Sequence, residues 1–196
     1  MTRIIAGQAK GQRIEVPPRG TRPTSDRVRE ACFSAIESWM NAHSLTWQEV
    51  QFIDLFGGSG AVGLEAASRG ATAVTIVEKN AATSRVIASN AKRLGLHVSV
   101  ATADAATWSP TPAHALGSTG IIYIDPPYDW EDLAMRTLIG KLSGFPEFEG
   151  ALLVIERGIR SPSPLSELPP GVLGDSWDRT YGDTRIWYGH LVGGTS

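Results

Sequence analysis

The chain has 196 residues, of which 42% are hydrophobic and 19% charged, enough apolar material for one domain with a true core. No apolar run approaches the roughly 20 residues of a membrane span, and the first seven residues carry no apolar signal stretch. The single cysteine, Cys32, excludes an internal disulfide, so a reducing cytoplasm is the expected compartment. The net charge of -2 is unevenly spread: residues 1–30 hold seven basic and three acidic side chains, and the remainder holds eleven basic and seventeen acidic ones. A basic arm on an acidic body suits a polyanionic partner, although a solvated charged tail would look the same.

Residues 3–6 and 12–16 read as two strands joined by a turn over 7–11, an N-terminal hairpin that ends at Pro17-Pro18-Arg19-Gly20. Thr24 or Ser25 then caps a helix with Val28, Cys32, Ala35, Ile36 and Trp39 on its apolar face. Arg27, Arg29 and Glu30 fall off that face, and Cys32 reads as core. From Gln51 strands alternate with helices: strand 52–56, helix 61–68 ended by Gly70, strand 73–78, helix 81–94 ended by Gly95, strand 97–101, strand 121–125, helix 131–142 and strand 151–156. This order implies an α/β fold with a mostly parallel, doubly wound sheet. A Pro-rich loop follows at 161–170, and segments 174–181 and 184–192 close the chain as an antiparallel hairpin through Gly182-Asp183. The expected division is a hairpin extension over 1–20 and one domain over 21–196.

Asp54-Leu55-Phe56-Gly57-Gly58-Ser59-Gly60 leaves the first core strand and opens a helix. Glycines there let the backbone approach a ligand at the carboxyl end of a strand. Gly58-Ser59-Gly60-Ala61-Val62-Gly63 also satisfies the dinucleotide fingerprint, with Glu78 about 20 residues on to bind a ribose. Nicotinamide chemistry therefore stays open at this loop. Against it, the Asp54 carboxylate would repel a pyrophosphate and could instead pair with an ammonium group. Asp104, in Ala103-Asp104-Ala105 after the third strand, can accept from an adenine amine.

Asp125-Pro126-Pro127-Tyr128 ends the fourth strand. Two prolines fix the backbone and remove two N–H donors. The Asp125 carboxylate and the Pro126 carbonyl can together accept both hydrogens of an aromatic amine. Such hydrogen bonds localise the nitrogen lone pair and aim it at an electrophile. Tyr128 can stack on a base flipped out of its helix. His43, His97, His114 and His190 are scattered, and no Cys/His cluster suggests a metal.

These runs, with Arg3-Ile4-Ile5-Ala6-Gly7, Arg22-Pro23-Thr24-Ser25-Asp26-Arg27-Val28-Arg29-Glu30, Leu64-Glu65-Ala66-Ala67-Ser68-Arg69-Gly70-Ala71 and Val77-Glu78-Lys79-Asn80, resemble the bacterial 16S rRNA guanine-N2 methyltransferase family (RsmD-like). Its members modify guanine 966 in standard rRNA numbering. The resemblance spans residues 3–128, and its N-terminal run is the discriminating part. It implies a class I methyltransferase fold: a seven-stranded sheet with the last strand antiparallel, preceded by an N-terminal hairpin. It further implies S-adenosylmethionine as cofactor, no metal, 16S rRNA in an assembling 30S particle as substrate, and a monomer. Carried over, Asp54, Phe56, Gly57, Gly58, Ser59 and Gly60 would hold the methionine end, Glu78 and Lys79 the ribose, and Asp104 and Ala105 the adenine. Asp125, Pro126, Pro127 and Tyr128 would hold the guanine. Lys10, Arg13, Arg19, Arg22, Arg27 and Arg29 are the candidate RNA contacts. Relatives often carry Ala at the position of Gly58 and Phe at that of Tyr128, so stacking is expected and a role for the tyrosine hydroxyl is not. A DNA amino-methyltransferase shares the Asp-Pro-Pro-Tyr chemistry, and a non-catalytic RNA-binding protein could keep the fold; both remain alternatives.

Overall fold

The computed structural model describes residues 2–17, 25–111 and 120–192. Arg19, Arg22, Thr24 and His114 lie outside the described residues. Contacts divide the chain into two compact units, Met1–Thr107 and Trp108–Ser196.

In the first unit, β1 (Thr2–Arg3) pairs antiparallel with β2 (Arg13–Ile14). The strands are shorter than the sequence pattern suggests because side chains from elsewhere take their backbone groups. The Ile5 and Ala6 amides donate to the Glu65 carboxylate at 2.7 and 2.9 Å. The Glu15 amide and carbonyl are both taken by Asn90, at 3.0 and 2.9 Å. The hairpin is thus bonded along its length to residues far away in sequence. Gly7, at φ +78°, allows the closest approach: a Cβ there would stand 1.8 Å from the Ser68 carbonyl oxygen.

Helix α1 (Asp26–Ala42) starts where Ser25 Oγ accepts the Val28 amide at 3.2 Å. Its buried residues are Arg29, Cys32, Phe33, Ile36, Trp39 and Met40, so Cys32 is core as expected. Arg29 corrects the expectation. It lies on the inward face, 1% exposed, and its Nη2 donates to the Arg3 carbonyl and to Asp26 Oδ1. A guanidinium buried to that degree does not reach an RNA phosphate. Hydrophobic periodicity assigns any arginine to the outside and cannot anticipate one that serves the backbone of another segment.

Strands β3 (Gln51–Asp54), β4 (Ala73–Glu78) and β5 (Ser99–Thr102) run parallel in the order β5-β4-β3. Helices α2 (Ala61–Arg69) and α3 (Ala81–Leu94) connect them and end at Gly70 and Gly95. Phe52, Ile53, Val74, Ile76 and Val77 are buried, the near-continuous apolar run of a strand covered on both faces. Phe33 stacks on Phe52 at 6.1 Å, with the Arg69 guanidinium 4.7 Å from the Phe33 ring centre.

In the second unit, β6 (Gly120–Ile124) runs parallel to β7 (Leu152–Gly158), with α4 (Asp132–Ser143) between them in sequence. The closing hairpin pairs β8 (Leu173–Tyr181) with β9 (Thr184–Leu191). The last strand, β9, lies between β7 and β8 and is antiparallel to both. Within the Pro-rich loop, Glu167 pairs with Arg136 of α4 at 3.0 Å.

Candidate active site

The glycine loop of the first unit is built by two carboxylates. Asp54, at the end of β3, is 1% exposed. Its oxygens accept the Phe56 amide at 3.3 Å and the Gly63 amide at 3.2 Å. One carboxyl group therefore sets the turn out of β3 and satisfies an early amide of α2. Burial pushes the Asp54 carboxyl from its ordinary 3.8 up to about 7; the Gly63 and Phe56 amides oppose that rise and the Glu78 charge adds to it.

Glu78, half-buried at the end of β4, accepts the Gly58 amide at 2.9 Å and the Asn80 amide at 2.7 Å. Gly57 donates to the Val77 carbonyl at 2.8 Å. A Cβ on Gly57 would stand 2.6 Å from Ile76 Cγ2, so only glycine lets the loop lie this close to β4. Phe56 and Gly58 are half-buried, whereas Gly57, Ser59 and Gly60 are buried. Lys79 is exposed, and the neighbouring Asn80 caps α3 through the Ala82 and Thr83 amides. Asp104 is exposed, with Oδ1 accepting the Ala106 amide at 2.9 Å, and Ala105 beside it is buried. The structure thus brings the loop and Glu78 into direct contact, and it places Asp54 underneath, where it acts on the loop from inside.

In the second unit every residue of β6 is buried, and the strand delivers Asp125 half-buried at its carboxyl end. Pro126 is buried, Pro127 is exposed, and Tyr128 is 76% exposed. The Trp130 amide donates to the Pro127 carbonyl at 3.0 Å, closing a tight turn with Tyr128 in it. A mostly exposed tyrosine ring next to a half-buried carboxylate is an acceptor and a stacking surface on one short segment.

Sequence reasoning missed the residues that support this turn. Glu156 and Arg157, near the end of β7, are 7% and 8% exposed in their residue and side chain respectively. Glu156 accepts the Tyr123 hydroxyl. Arg157 donates to the Trp130 carbonyl at 3.1 Å and to Asp132 at 3.2 Å. The available signal was two charged residues ending an apolar buried strand, a place where charges need partners.

Among the candidate RNA contacts, Lys10, Arg13 and Arg27 are exposed. Arg93 of α3 donates to the Arg13 carbonyl at 2.6 Å, so the hairpin charges sit beside a further arginine. No group of three or more His, Cys, Asp or Glu side chains among the described residues could hold a metal ion.

The family model "Conserved hypothetical protein 95" matches residues 2–189. A Bacillus subtilis relative, "Putative rRNA methyltransferase YlbH", is 32% identical over 85% of this chain and 89% of its own length. The chain belongs to this RsmD-like family. Escherichia coli "Ribosomal RNA small subunit methyltransferase D" is 36% identical over 64% of this chain and 60% of its own length. Among solved structures, "Putative methyltransferase yhhF" of E. coli superposes with a TM-score of 0.70 at 26% identity, covering 98% of each chain. The fold is that of class I methyltransferases, a seven-stranded, mostly parallel sheet with the final strand antiparallel, as the sequence implied.

Proposed function

We propose that this protein methylates an exocyclic amine of small-subunit ribosomal RNA, the N2 of a guanine of the 966 type, using S-adenosylmethionine. The observation that carries the chemistry is Tyr128, 76% exposed, three residues after a half-buried Asp125 at the end of a wholly buried strand. Ribosomal RNA as the substrate class is supported by the names of the relatives and by the exposed charges at Lys10, Arg13 and Arg27. Guanine rests on the family resemblance alone.

The residues of the first unit fit the cofactor. Glu78 spends one lone pair of each oxygen on an amide and keeps others for a ribose diol. Asp104 stands exposed with one oxygen uncommitted among the described contacts, suited to an adenine amine. The Phe56–Ser59 backbone would receive the methionine end, and Asp54 would act through that loop. When bound, S-adenosylmethionine supplies an electrophilic methyl on a sulfonium.

The chain's own part is orientation. Tyr128 stacks on the flipped base, while the Asp125 carboxylate and the Pro126 carbonyl accept the two amine hydrogens. The lone pair is thereby drawn out of conjugation and aimed. As the nitrogen gains its new carbon bond it sheds one proton, and the Asp125 carboxylate is the acceptor nearest to hand on this segment.

The test is labelled-methyl incorporation into 30S particles and 16S rRNA, followed by mapping of the modified nucleotide. Asp125→Ala should abolish transfer while cofactor affinity and melting temperature stay near wild type. Full activity in that variant would reject the mechanism. Methylation of duplex DNA but not of 30S particles would favour a DNA enzyme instead.

A further inference from the structure

Strand β7 ends in Glu156-Arg157-Gly158, and each residue meets a different point of segment 123–132. Glu156 accepts the hydroxyl of Tyr123, which shares a face of β6 with Asp125 two residues on. A Cβ built on Gly158 would stand 3.7 Å from Tyr128 Cε1, so the ring rests over a position that carries no side chain. Arg157 reaches beyond the tyrosine. Its Nη2 donates twice, to the Trp130 carbonyl at 3.1 Å and to Asp132 Oδ1 at 3.2 Å. Its Nη1 is buried with no hydrogen-bond partner among the described residues.

Burying a cation with an unsatisfied nitrogen is unfavourable, and an apolar side chain of similar volume would pack without that cost. What the guanidinium adds is the hold on Trp130. That residue closes the turn through the Pro127 carbonyl, and Tyr128 lies inside it.

We propose that Arg157 is a positioning residue for methyl transfer. By anchoring the Trp130 carbonyl it fixes the far end of the Asp125–Tyr128 segment, whose near end is fixed by β6. The amine's two acceptors and its stacking ring are then held at set distances from one another. This inference rests on the reading of that segment as the amine-binding group.

Arg157→Met keeps the length and volume of the side chain and removes its donors. In full-length protein it should lower kcat for rRNA methylation roughly 10- to 100-fold, the scale of a misplacement of about 1 Å, with KM, cofactor affinity and melting temperature changed far less. Amide exchange should accelerate over residues 127–132 and not over the first unit. Arg157→Lys should recover much of kcat, because one nitrogen makes both bonds. Asp132→Ala should keep kcat near wild type while lowering the melting temperature, since it removes the ion pair of a buried guanidinium and spares the Trp130 bond. A well-folded Arg157→Met protein with wild-type kcat would overturn this inference and leave the proposed function standing. So would a loss of kcat that only tracks a loss of folded protein. A wild-type protein that fails to methylate 30S particles would overturn both.

Discussion

Asp54 shows how one buried side chain can brace a glycine loop from beneath. Its carboxyl is 1% exposed and its pKa is pushed up to about 7 from 3.8. The folded protein therefore holds this proton more tightly than the unfolded chain. The stability the group contributes is fully present below its ordinary pKa and is lost as pH rises toward about 7, on the order of 4 kcal/mol across that window. Asp54→Asn cannot titrate. The melting temperature of the wild type should decline relative to this variant from about pH 4 to about pH 7, then run parallel to it above that. A constant gap across the range would mean that the carboxyl titrates at its ordinary value. The sequence showed that Asp54 mattered, because a carboxylate at a strand end before glycines is conspicuous. It could not show burial, which makes Asp54 the brace of a loop. Arg29 and Arg157 were opaque for the same reason. Both are arginines held inside by carbonyl oxygens of distant residues, and no periodicity records a carbonyl.

At the level of elements, local signals did most of the work. α3 spans the 81–94 helix expected to end at Gly95, and β4 matches its apolar run. β3 (Gln51–Asp54) and β5 (Ser99–Thr102) depart from the expected 52–56 and 97–101 by one or two residues at their ends, and the N-terminal hairpin departs furthest, because its strand length is decided by α2 and α3. Glu65, 0% exposed, accepts two hairpin amides and pairs with Arg69 at 2.8 Å; Arg69 also reaches Glu37 at 2.7 Å. Glu65→Ala would strand two amides and half the partners of a buried guanidinium, a loss on the order of 3 kcal/mol. Urea unfolding should show the lower midpoint, and limited proteolysis should cut within the first sixteen residues before elsewhere. An unchanged midpoint would reduce the Glu65 hydrogen bonds to incidental ones.

For the whole molecule, the same hydrogen bonds decide how RNA binding can be tested. Removing the hairpin would uncover the sites that bury Ile4 and Ile14, which are 0% and 4% exposed, and would confound affinity with stability. Lys10→Ala with Arg13→Ala leaves the docking intact. The slope of log affinity against log salt should shrink by about 0.7–0.9 for each phosphate that is no longer neutralised, with cofactor affinity unaltered. A slope identical to wild type would assign these charges to solvation. The charge asymmetry was legible in the sequence from the first thirty residues. Arg93 beside the Arg13 carbonyl was not, being eighty residues away.

That separation bears on how the protein comes into being. The hairpin is synthesised before the partners it takes from the later helices: Glu65, Ser68, Asn90 and Arg93 lie 59 to 80 residues downstream of the residues they bond. At about 5–20 residues per second, the emerging arm waits roughly 3–16 seconds for the helices that receive it. Until then the hairpin has only the nearer α1, through Arg29 at the Arg3 carbonyl, and closing the longer loops carries an entropic cost before any bond forms. The hairpin is therefore anchored late, and the basic surface it bears takes its final form only after the helices beneath it have been made.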